Sequence, residues 1–543
     1  MSEKLSGIGR VEAVAGEICS VGGLRNISLS NVVEFSSGER GLVLGFTDKL
    51  TQIVVIGDYH NIKKGDLAKV ESDELRIRVS NELIGRIIDP LGNPLDGKGK
   101  VEEGEYYYIE SPAKGVSERA QITKPLLTGF LIIDSQIPIG QGQRELLVGD
   151  KKIGKGDTAA AIIGNQTRTN SGIIGIYVTI DAQTTAVKRR ISQLEQYGAL
   201  KNSVVIVGRA SDSSTINYIA PMSAITIAEV FAKQGKDVIV VFDNLTRHAK
   251  VYRQISLLLK RAPGREAYPG DVFYLHSRLL ERCGCFAESV GGGSITALPI
   301  VETQGEEITD YITTNLMSIT DGHILFRLSL ANKGIRPAVD SAFSVSRIGG
   351  RAQPKIIREL SDQLKDEVVR FHEVEKFAMV GSELQPETLE IIELGERIVL
   401  LFNQTVKDIF SLDQEILLLY FVLSKIILNW EIRDIPAVRT QLLEFTNHDS
   451  YKKMINGLVN ASKTEEIKPV LDKILSDFMS DPKTIAKIEK KDPSPAERES
   501  VVDLLKDTAP WQKPADESAK EPVDKVDKNQ KTDITKEGDN ANT

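Results

Sequence analysis

A glycine-rich stretch at residues 149–156 carries the clearest chemistry in the sequence. It reads G-D-K-K-I-G-K-G and follows the apolar residues 146–148. A strand that enters a glycine-rich turn and continues into a helix brings backbone N–H groups together around a phosphate, and a lysine at the position of Lys155 reaches the terminal phosphates. The stretch therefore predicts a phosphate-binding loop for a nucleoside triphosphate. We assign contacts with the nucleotide to Gly149, Asp150, Lys151, Lys152, Ile153, Gly154, Lys155, Gly156 and Asp157.

Gly156 departs from the usual pattern of such a loop. A Ser or Thr normally follows the lysine, and its hydroxyl is a ligand of Mg²⁺. Gly156 has no side chain that could coordinate a metal. We therefore expect ATP or ADP with Mg²⁺ to bind weakly or not at all at this loop.

Asp243 is the candidate for a metal-associated carboxylate. It closes the apolar run 238–242, and an acidic residue after a buried strand of a P-loop protein holds the metal, usually through water. The alternative is a structural role, in which Asp243 caps the helix that begins near Asn244. The phosphate loop favours the metal-associated role.

The elements around these residues predict an α/β domain. Between residues 111 and 350, apolar segments alternate with helical ones, and this alternation is typical of a parallel sheet covered on both faces, with ligands at the carboxyl ends of its strands. The expected strands are 146–148, 173–180, 204–207 and 238–242, and the expected helices include 186–196 and 224–233.

The flanking regions predict a multidomain chain. Short alternating apolar runs between residues 9 and 79 predict a small antiparallel β-barrel, and Pro, Gly, Asn and Asp at 89–97 indicate turns that connect it to the next domain. Apolar residues at three- and four-residue spacing predict helices after residue 353. The expected division is 1–78 for the barrel, 79–352 for a P-loop (RecA-like) domain, 353–482 for a helical domain and 483–543 for a charged, largely disordered extension.

Composition limits the range of functions. The 543 residues carry a formal net charge of −8, which gives no general attraction to nucleic acid or to an anionic membrane. Three cysteines cannot form a disulfide framework, and Cys283-Gly-Cys285 is interpreted as small residues near a helix end.

The N-terminus lacks an apolar signal core, so we expect a cytoplasmic protein. The apolar run 416–430 contains Lys425 and is predicted to be a buried helix rather than a membrane span.

Several long stretches closely resemble the alpha subunit of the F-type ATP synthase. They are residues 22–26, 34–38, 129–149, 252–282, 292–304 and 344–350. Residues 301–304 and 344–350 are similar to alpha rather than to its catalytic partner, beta. The resemblance implies a three-plus-three ring of alpha-type and beta-type subunits around a gamma-type central shaft, with ATP hydrolysed in beta.

The resemblance also implies roles for single residues. Arg347, with Ser346 beside it, stands where the family places an arginine finger that enters the neighbouring beta site. Ordinary alpha subunits carry a glutamine at the position of Ala182, and the catalytic subunits carry a glutamate just beyond the same strand. No general base is therefore expected in this chain. Asp181 is displaced by one residue from the position of Ala182. Arg336, Pro337 and Gln404 match the family's adenine pocket, whereas Ala331 replaces an aromatic residue and Val406 a second glutamine.

Both ends of the chain differ from ordinary alpha subunits. The sequence begins almost at the barrel, without the segment that meets the peripheral stalk, and residues 490–543 follow the family's usual end. The chain is therefore similar to the F-type-like ATPases of mollicutes, including those linked to gliding motility. We expect an additional partner for residues 490–543, with residues 497–511 as a short amphipathic segment, and a peripheral complex at the inner face of the cell membrane.

Two other classes of function remain open from the sequence. An autonomous P-loop ATPase is disfavoured by Gly156 and Ala182, which lack the hydroxyl and the carboxylate that hydrolysis needs. A Rho-like hexameric nucleic-acid motor shares the plan of barrel and P-loop domain. The acidic net charge and the lack of a basic and aromatic surface in residues 1–80 disfavour it.

Overall fold

The N-terminal domain is a closed antiparallel barrel, as the sequence predicts. The structure is a computed structural model that describes residues 7–72, 74–169, 171–378 and 385–481. The barrel strands are β1 (Ile8–Ala15), β2 (Ile18–Gly22), β3 (Val32–Phe35), β4 (Arg40–Phe46), β5 (Leu50–Ile56) and β6 (Leu67–Ser72), in the order β1-β2-β5-β4-β3-β6. Alternate residues such as Val33, Val43 and Ile53 fill the interior. Closure of the barrel leaves no strand edge unpaired.

A nine-stranded sheet forms the centre of the second domain. The strands of this domain are β7 (Arg76–Val79), β8 (Ile87–Ile88), β9 (Glu105–Tyr108), β10 (Pro125–Leu126), β11 (Ile139–Gly140), β12 (Glu145–Asp150), β13 (Ile174–Ala182), β14 (Ser203–Arg209), β15 (Asp237–Asp243), β16 (Gly284–Cys285), β17 (Ser294–Thr303), β18 (Gly322–Leu325) and β19 (Val345–Ser346). The sheet has the order β19-β18-β12-β17-β15-β13-β14-β8, with β16 paired to β17. Strands β18 to β8 of this order are parallel, so their carboxyl ends meet at one edge of the sheet.

Helices cover this sheet, which confirms the predicted α/β architecture. They are α1 (Leu131–Gln136), α2 (Lys155–Arg168), α3 (Thr184–Gln196), α4 (Ser214–Lys233), α5 (Leu245–Leu258), α6 (Val272–Glu281), α7 (Tyr311–Ile319), α8 (Leu328–Asn332) and α9 (Gly349–Ala352). In the described part of the chain, α4 alone is long and apolar enough to span a membrane, and 89% of its apolar stretch is buried inside the protein. That burial is typical of the core helix of a folded domain.

The turn-rich segment at residues 89–97 differs from its predicted role as a connection between domains. The sheet has already begun before it, because β8 pairs in parallel with β14 at the far edge. Likewise, β7 pairs with β9 and not with the barrel, whose last strand ends at Ser72. The segment folds back on the sheet, with Leu95 N donating to Ile87 O at 2.8 Å.

The third domain is helical, as predicted. Its helices are α10 (Lys355–Ala378), α11 (Pro386–Phe402), α12 (Leu412–Leu423), α13 (Ile435–Thr446), α14 (Asp449–Ile455) and α15 (Thr464–Met479). The prediction of one buried helix over residues 416–430 is wrong in its second half. Helix α12 ends at Leu423, because Lys425 has a left-handed backbone with φ of 57°. The predicted extension after residue 482 and its segment 497–511 lie outside the described residues.

Candidate nucleotide-binding site

The phosphate loop lies between the carboxyl end of β12 and the start of α2. Its backbone takes three left-handed positions, with φ of 148° at Gly149, 63° at Lys152 and 105° at Gly154. A Cβ atom at Gly149 would overlap the carbonyl oxygen of Phe326, so only glycine fits there. These turns deliver the chain into the N-terminus of α2, where the first backbone N–H groups have no acceptor within the helix and favour an anion.

Lys155 lies folded against this loop and is 5% exposed. Its Nζ donates to the carbonyl oxygens of Gly149, at 2.6 Å, and of Asp150, at 2.5 Å. Burial lowers the pKa of Lys155 to about 8, although carboxylates nearby, Glu302 foremost, oppose that shift. The ammonium is therefore held at the loop by carbonyl groups that a bound phosphate would replace as its partners.

Three of the remaining loop residues have contacts within the chain. Asp150 accepts a hydrogen bond from Thr303 Oγ1 at 2.6 Å. Lys151 Nζ lies 3.8 Å from a carboxylate oxygen of Glu302. Ile153 is buried in the core, and Lys152 is exposed. The prediction that all of these residues contact nucleotide thus stays a prediction, with Lys155 and the helix N-terminus best placed for it.

Arg190 of α3 fills the space beside Gly156. A Cβ atom at Gly156 would overlap Nη2 of Arg190 and would lie 3.2 Å from Oδ2 of Asp243. Nη1 of the same arginine donates to Asp157 Oδ1 at 2.9 Å, and Arg189 pairs with the other oxygen of Asp157 at 3.0 Å. Asp157, predicted to contact nucleotide, is therefore already bonded to two guanidinium groups.

Asp243 ends β15 at the same edge of the sheet. It accepts a hydrogen bond from Tyr177 Oη at 2.6 Å and lies 3.8 Å from Nη2 of Arg190. Asn244, and not Asp243, caps α5, since its side chain accepts from Arg247 N at 2.9 Å. The alternative in which Asp243 serves as the helix cap is therefore wrong, and its carboxylate faces the loop region.

A divalent cation does not fit this arrangement. Gly156 offers no oxygen ligand, and the guanidinium of Arg190 stands where a Ser or Thr side chain would hold the metal. Asp243 already has Tyr177 and Arg190 as partners. Within the described ranges, no group of three or more His, Cys, Asp or Glu side chains could hold a metal ion. The residues at this position therefore do not fit Mg²⁺ in this subunit.

The residues assigned to the adenine pocket lie together but use their polar groups internally. Gln404 is 1% exposed; its Oε1 accepts from Leu131 N at 3.0 Å, and its Nε2 donates to Gly129 O at 2.6 Å. The Arg336 guanidinium donates to the carbonyl oxygens of Ala331 and Ile335. The Arg336–Pro337 peptide is cis. The structure thus brings Arg336, Pro337, Gln404 and Ala331 into one region, where Gln404 joins α1 to the helical domain.

The position that lacks a general base lies at the end of β13. Ala182 is buried. Asp181 has a positive φ of 48°, and its backbone carbonyl accepts a hydrogen bond from Arg247 Nη1 at 3.1 Å. Burial raises the pKa of the Asp181 carboxyl, and the nearby cations Arg247 and Lys250 oppose that effect.

Arg347 directly follows β19 and is exposed. It lies at the amino ends of the parallel strands, opposite to the phosphate loop at their carboxyl ends. Its backbone N donates to Asp321 O at 3.1 Å, and Nη1 lies 3.5 Å from Thr320 O. Ser346 is half-buried; its Oγ donates to Pro138 O at 2.6 Å and accepts from Gln143 Nε2 at 3.0 Å. These contacts place Ser346 as a residue that positions the strand, while Arg347 extends from it.

Sequence reasoning missed Arg190 and Tyr177. Arg190 lies on a helix far from the loop in sequence, and nothing in the loop motif points to it. The available signal was the missing side chain at Gly156, which leaves a space beside a negatively charged Asp243 for some other group to fill. Tyr177 appears in the sequence as one more apolar strand residue.

Barrel, phosphate loop and helical domain together define a nucleotide-binding subunit of the P-loop class. The family model described as "ATP synthase alpha/beta family, nucleotide-binding domain" matches residues 129–346, and the one described as "ATP synthase alpha/beta chain, C terminal domain" matches residues 353–492. The chain is 39% identical to ATP synthase subunit alpha of Rickettsia bellii over 485 residues, which cover 88% of this chain and 94% of the relative. It is 42% identical to ATP synthase subunit alpha of Caldanaerobacter subterraneus over 463 residues, or 85% of this chain and 91% of the relative.

The chain therefore belongs to the alpha-subunit family of F-type ATP synthases and ATPases. The resemblance noted in the sequence is confirmed, as is the fold class. These comparisons favour an F-type ATPase subunit over the Rho-like nucleic-acid motor. The mollicute and gliding assignments, the location in the cell and the partner of residues 490–543 stay predictions.

Proposed function

We propose that this chain is the non-catalytic alpha-type subunit of a rotary F-type-like ATPase ring and that Arg347 acts in the ATP site of the neighbouring beta-type subunit. The proposal includes a gamma-type central shaft. The ring hydrolyses ATP to drive mechanical work or ion transport. The subunit's own nucleotide site is degraded and does not hydrolyse ATP.

The observation that carries the proposal is the placement of Arg347. Arg347 is an exposed residue at the amino ends of the parallel strands, away from the chain's own phosphate loop at their carboxyl ends. Within the described residues, the hydrogen bond from Nη1 to Thr320 O is long, at 3.5 Å. A neighbouring subunit can therefore receive this charge at a low cost in broken contacts.

The backbone beneath Arg347 is held firmly, as an arginine acting in trans requires. Asp321, whose carbonyl accepts from Arg347 N, is itself clamped by Arg144 through Nε at 2.9 Å and Nη2 at 2.7 Å. Ser346 joins the same strand to Pro138. The guanidinium therefore extends from a fixed base.

The chain's own site supports a non-catalytic role. Hydrolysis needs a carboxylate or amide that positions water and a metal that neutralises the developing charge. Ala182 supplies neither group, and the space beside Gly156 holds Arg190.

The test is substitution of Arg347 in the reconstituted alpha–beta–gamma complex. Arg347→Ala is expected to lower the turnover of ATP by about 10³-fold or more, because the charge is needed in the transition state. Arg351→Ala is the matched control, since Arg351 is an exposed arginine on the adjacent helix α9. A loss of less than about threefold for Arg347→Ala, or an equal loss for the control, would remove Arg347 from the mechanism.

A further inference from the structure

Arg190 is not explained by the role of Arg347 at the neighbouring site. Its side chain is 14% exposed and lies against the first turn of α2. Gly156 makes that position possible, because any other residue there would overlap the guanidinium. The missing metal ligand and the inserted arginine are thus two parts of one arrangement.

The contacts of the guanidinium leave part of its hydrogen-bonding capacity unused. Nη1 donates to Asp157 at 2.9 Å and to Gln193 at 2.7 Å, and the ring of Tyr177 lies 5.3 Å from Cζ. Nε is buried and has no hydrogen-bond partner in the part of the chain that the structure describes. Nη2 lies 3.8 Å from Asp243, which is ion-pair distance but too long for a hydrogen bond. A guanidinium has five N–H donors, so some are available to an oxygen ligand.

The other requirements for phosphate binding are met beside it. The loop has its left-handed glycines, the N-terminus of α2 favours an anion, and Lys155 is held at the loop. A polyphosphate is also bound more tightly when a second positive charge neutralises its oxygens, and Mg²⁺ usually supplies that charge. Arginine is suited to that task because its planar fork matches phosphate oxygens and it stays charged when buried.

We propose that this loop binds the polyphosphate of a nucleotide without a divalent cation, and that the guanidinium of Arg190 supplies the positive charge that a metal ion would otherwise bring. The inference rests on the proposed function, in which this subunit does not hydrolyse ATP. A site that only holds nucleotide needs its charge neutralised in the ground state. A fixed guanidinium does this, whereas Mg²⁺ arriving with the nucleotide meets the positive charge of Arg190 and no hydroxyl ligand.

The test is equilibrium binding of ATP to the purified full-length chain, measured by calorimetry in EDTA and again in excess Mg²⁺. We expect ATP to bind at least about threefold more tightly in EDTA, since the metal and Arg190 compete for one position. Arg190→Gln is expected to weaken binding in EDTA by about 10- to 100-fold, the range for a lost charge-assisted hydrogen bond. Arg190→Lys should restore part of the affinity.

Arg189→Gln is the matched control. Arg189 is the preceding residue on α3, pairs with the same Asp157 and is 68% exposed, so its loss changes the net charge equally without emptying the space beside Gly156. We expect less than about threefold weakening for this variant.

Binding of ATP that requires Mg²⁺, no binding in either condition, or equal effects of the two arginine substitutions would each overturn the proposal. The comparison of ATP binding in EDTA and in excess Mg²⁺ uses the wild-type chain, so it does not depend on whether a variant folds. The turnover experiment on Arg347 concerns a different site, so the two proposals can fail separately.

Discussion

The positive charges at the phosphate loop and at the sheet edge that carries Arg347 differ in how deeply they are buried. At the loop, Lys155 and Arg190 are buried and bonded to groups of their own chain, with Lys155 5% exposed and the side chain of Arg190 14% exposed. At the edge, Arg347 is exposed and directly follows a firmly held strand, and its charge also acts on the buried carboxyl of Glu145. Buried charge at the loop is accessible only to a ligand bound at the chain's own site, whereas exposed charge on a rigid base is available to a neighbour. Under the proposed function, the subunit's catalytic contribution therefore lies at the edge.

The largest effect beyond removal of the arginine is expected from Arg347→Lys. Lysine keeps the positive charge but loses the planar fork that meets two phosphate oxygens at once. We expect turnover of the reconstituted complex to fall by about 10²-fold, less than for alanine. Steady-state hydrolysis of ATP by the purified complex is the measurement. Wild-type turnover in the lysine variant would show that charge alone suffices and that the geometry of the edge is unimportant.

Substitution of Asp321 tests whether the rigid base matters. Asp321→Asn leaves Arg144 without its carboxylate, and this pair is largely buried, with side chains 23% and 14% exposed. We expect a loss of about 2 kcal/mol in the free energy of unfolding, and about tenfold lower turnover as Arg347 loses its fixed position. Urea unfolding and hydrolysis on the same preparation are the measurements.

An exposed ion pair provides the control for that experiment. Arg40 and Glu71 are 40% and 38% exposed, so Glu71→Gln should cost less than about 0.5 kcal/mol. Unchanged turnover in Asp321→Asn would show that Arg347 does not depend on the strand beneath it.

The smallest effect on turnover is expected near the adenine-pocket residues, where two buried carboxyls meet between α1 and α12. Burial raises the pKa of Asp134 to about 6, although Thr128 and Gly129 donate hydrogen bonds to it. Burial, and then the charge of Asp134, raise the pKa of Glu415 well above its ordinary value. Folding therefore favours the protonated pair, so this pair's contribution to stability is present at low pH and is lost as the pH rises from about 4 through the folded-state pKa values.

Glu415→Gln removes one of these ionisations while keeping the shape of the side chain. The wild type is expected to lose roughly 1–2 kcal/mol more stability between pH 5 and pH 8 than the variant does. Glu444→Gln, at an exposed position of α13, should leave the pH dependence as in the wild type. Turnover of ATP by the complex that contains Glu415→Gln should stay within about twofold of the wild type. Parallel stability curves for wild type and Glu415→Gln would exclude the carboxyl pair as a source of pH dependence.

The sequence was sufficient to predict the architecture because its local signals are strong. Alternating apolar residues predict the barrel, and the run of residues 146–148 before a glycine-rich turn predicts β12, the loop and α2. Where a local conformation opposes the pattern, the prediction fails. Lys425 has a left-handed backbone that ends the apolar helix, and no pattern of apolar residues reports it.

The candidate site was less predictable because its decisive contacts join distant segments. The motif identifies Lys155 and the loss of a hydroxyl at Gly156, but only the fold brings Arg190 into that space. Gln404 shows the same limit. Its residue type fits an adenine contact, while the structure shows its amide bonded to backbone groups of Gly129 and Leu131.

Trapping of a transition-state analogue tests most directly the claim that this chain serves its neighbour. Mg-ADP with aluminium fluoride mimics the transferring phosphoryl group, so a residue needed only in the transition state affects trapping and not the binding of Mg-ADP. The account predicts that the Arg347→Ala complex binds Mg-ADP at its beta sites within about threefold of the wild type and loses trapping by at least about 100-fold. Trapping by the variant as strong as that of the wild-type complex would contradict it.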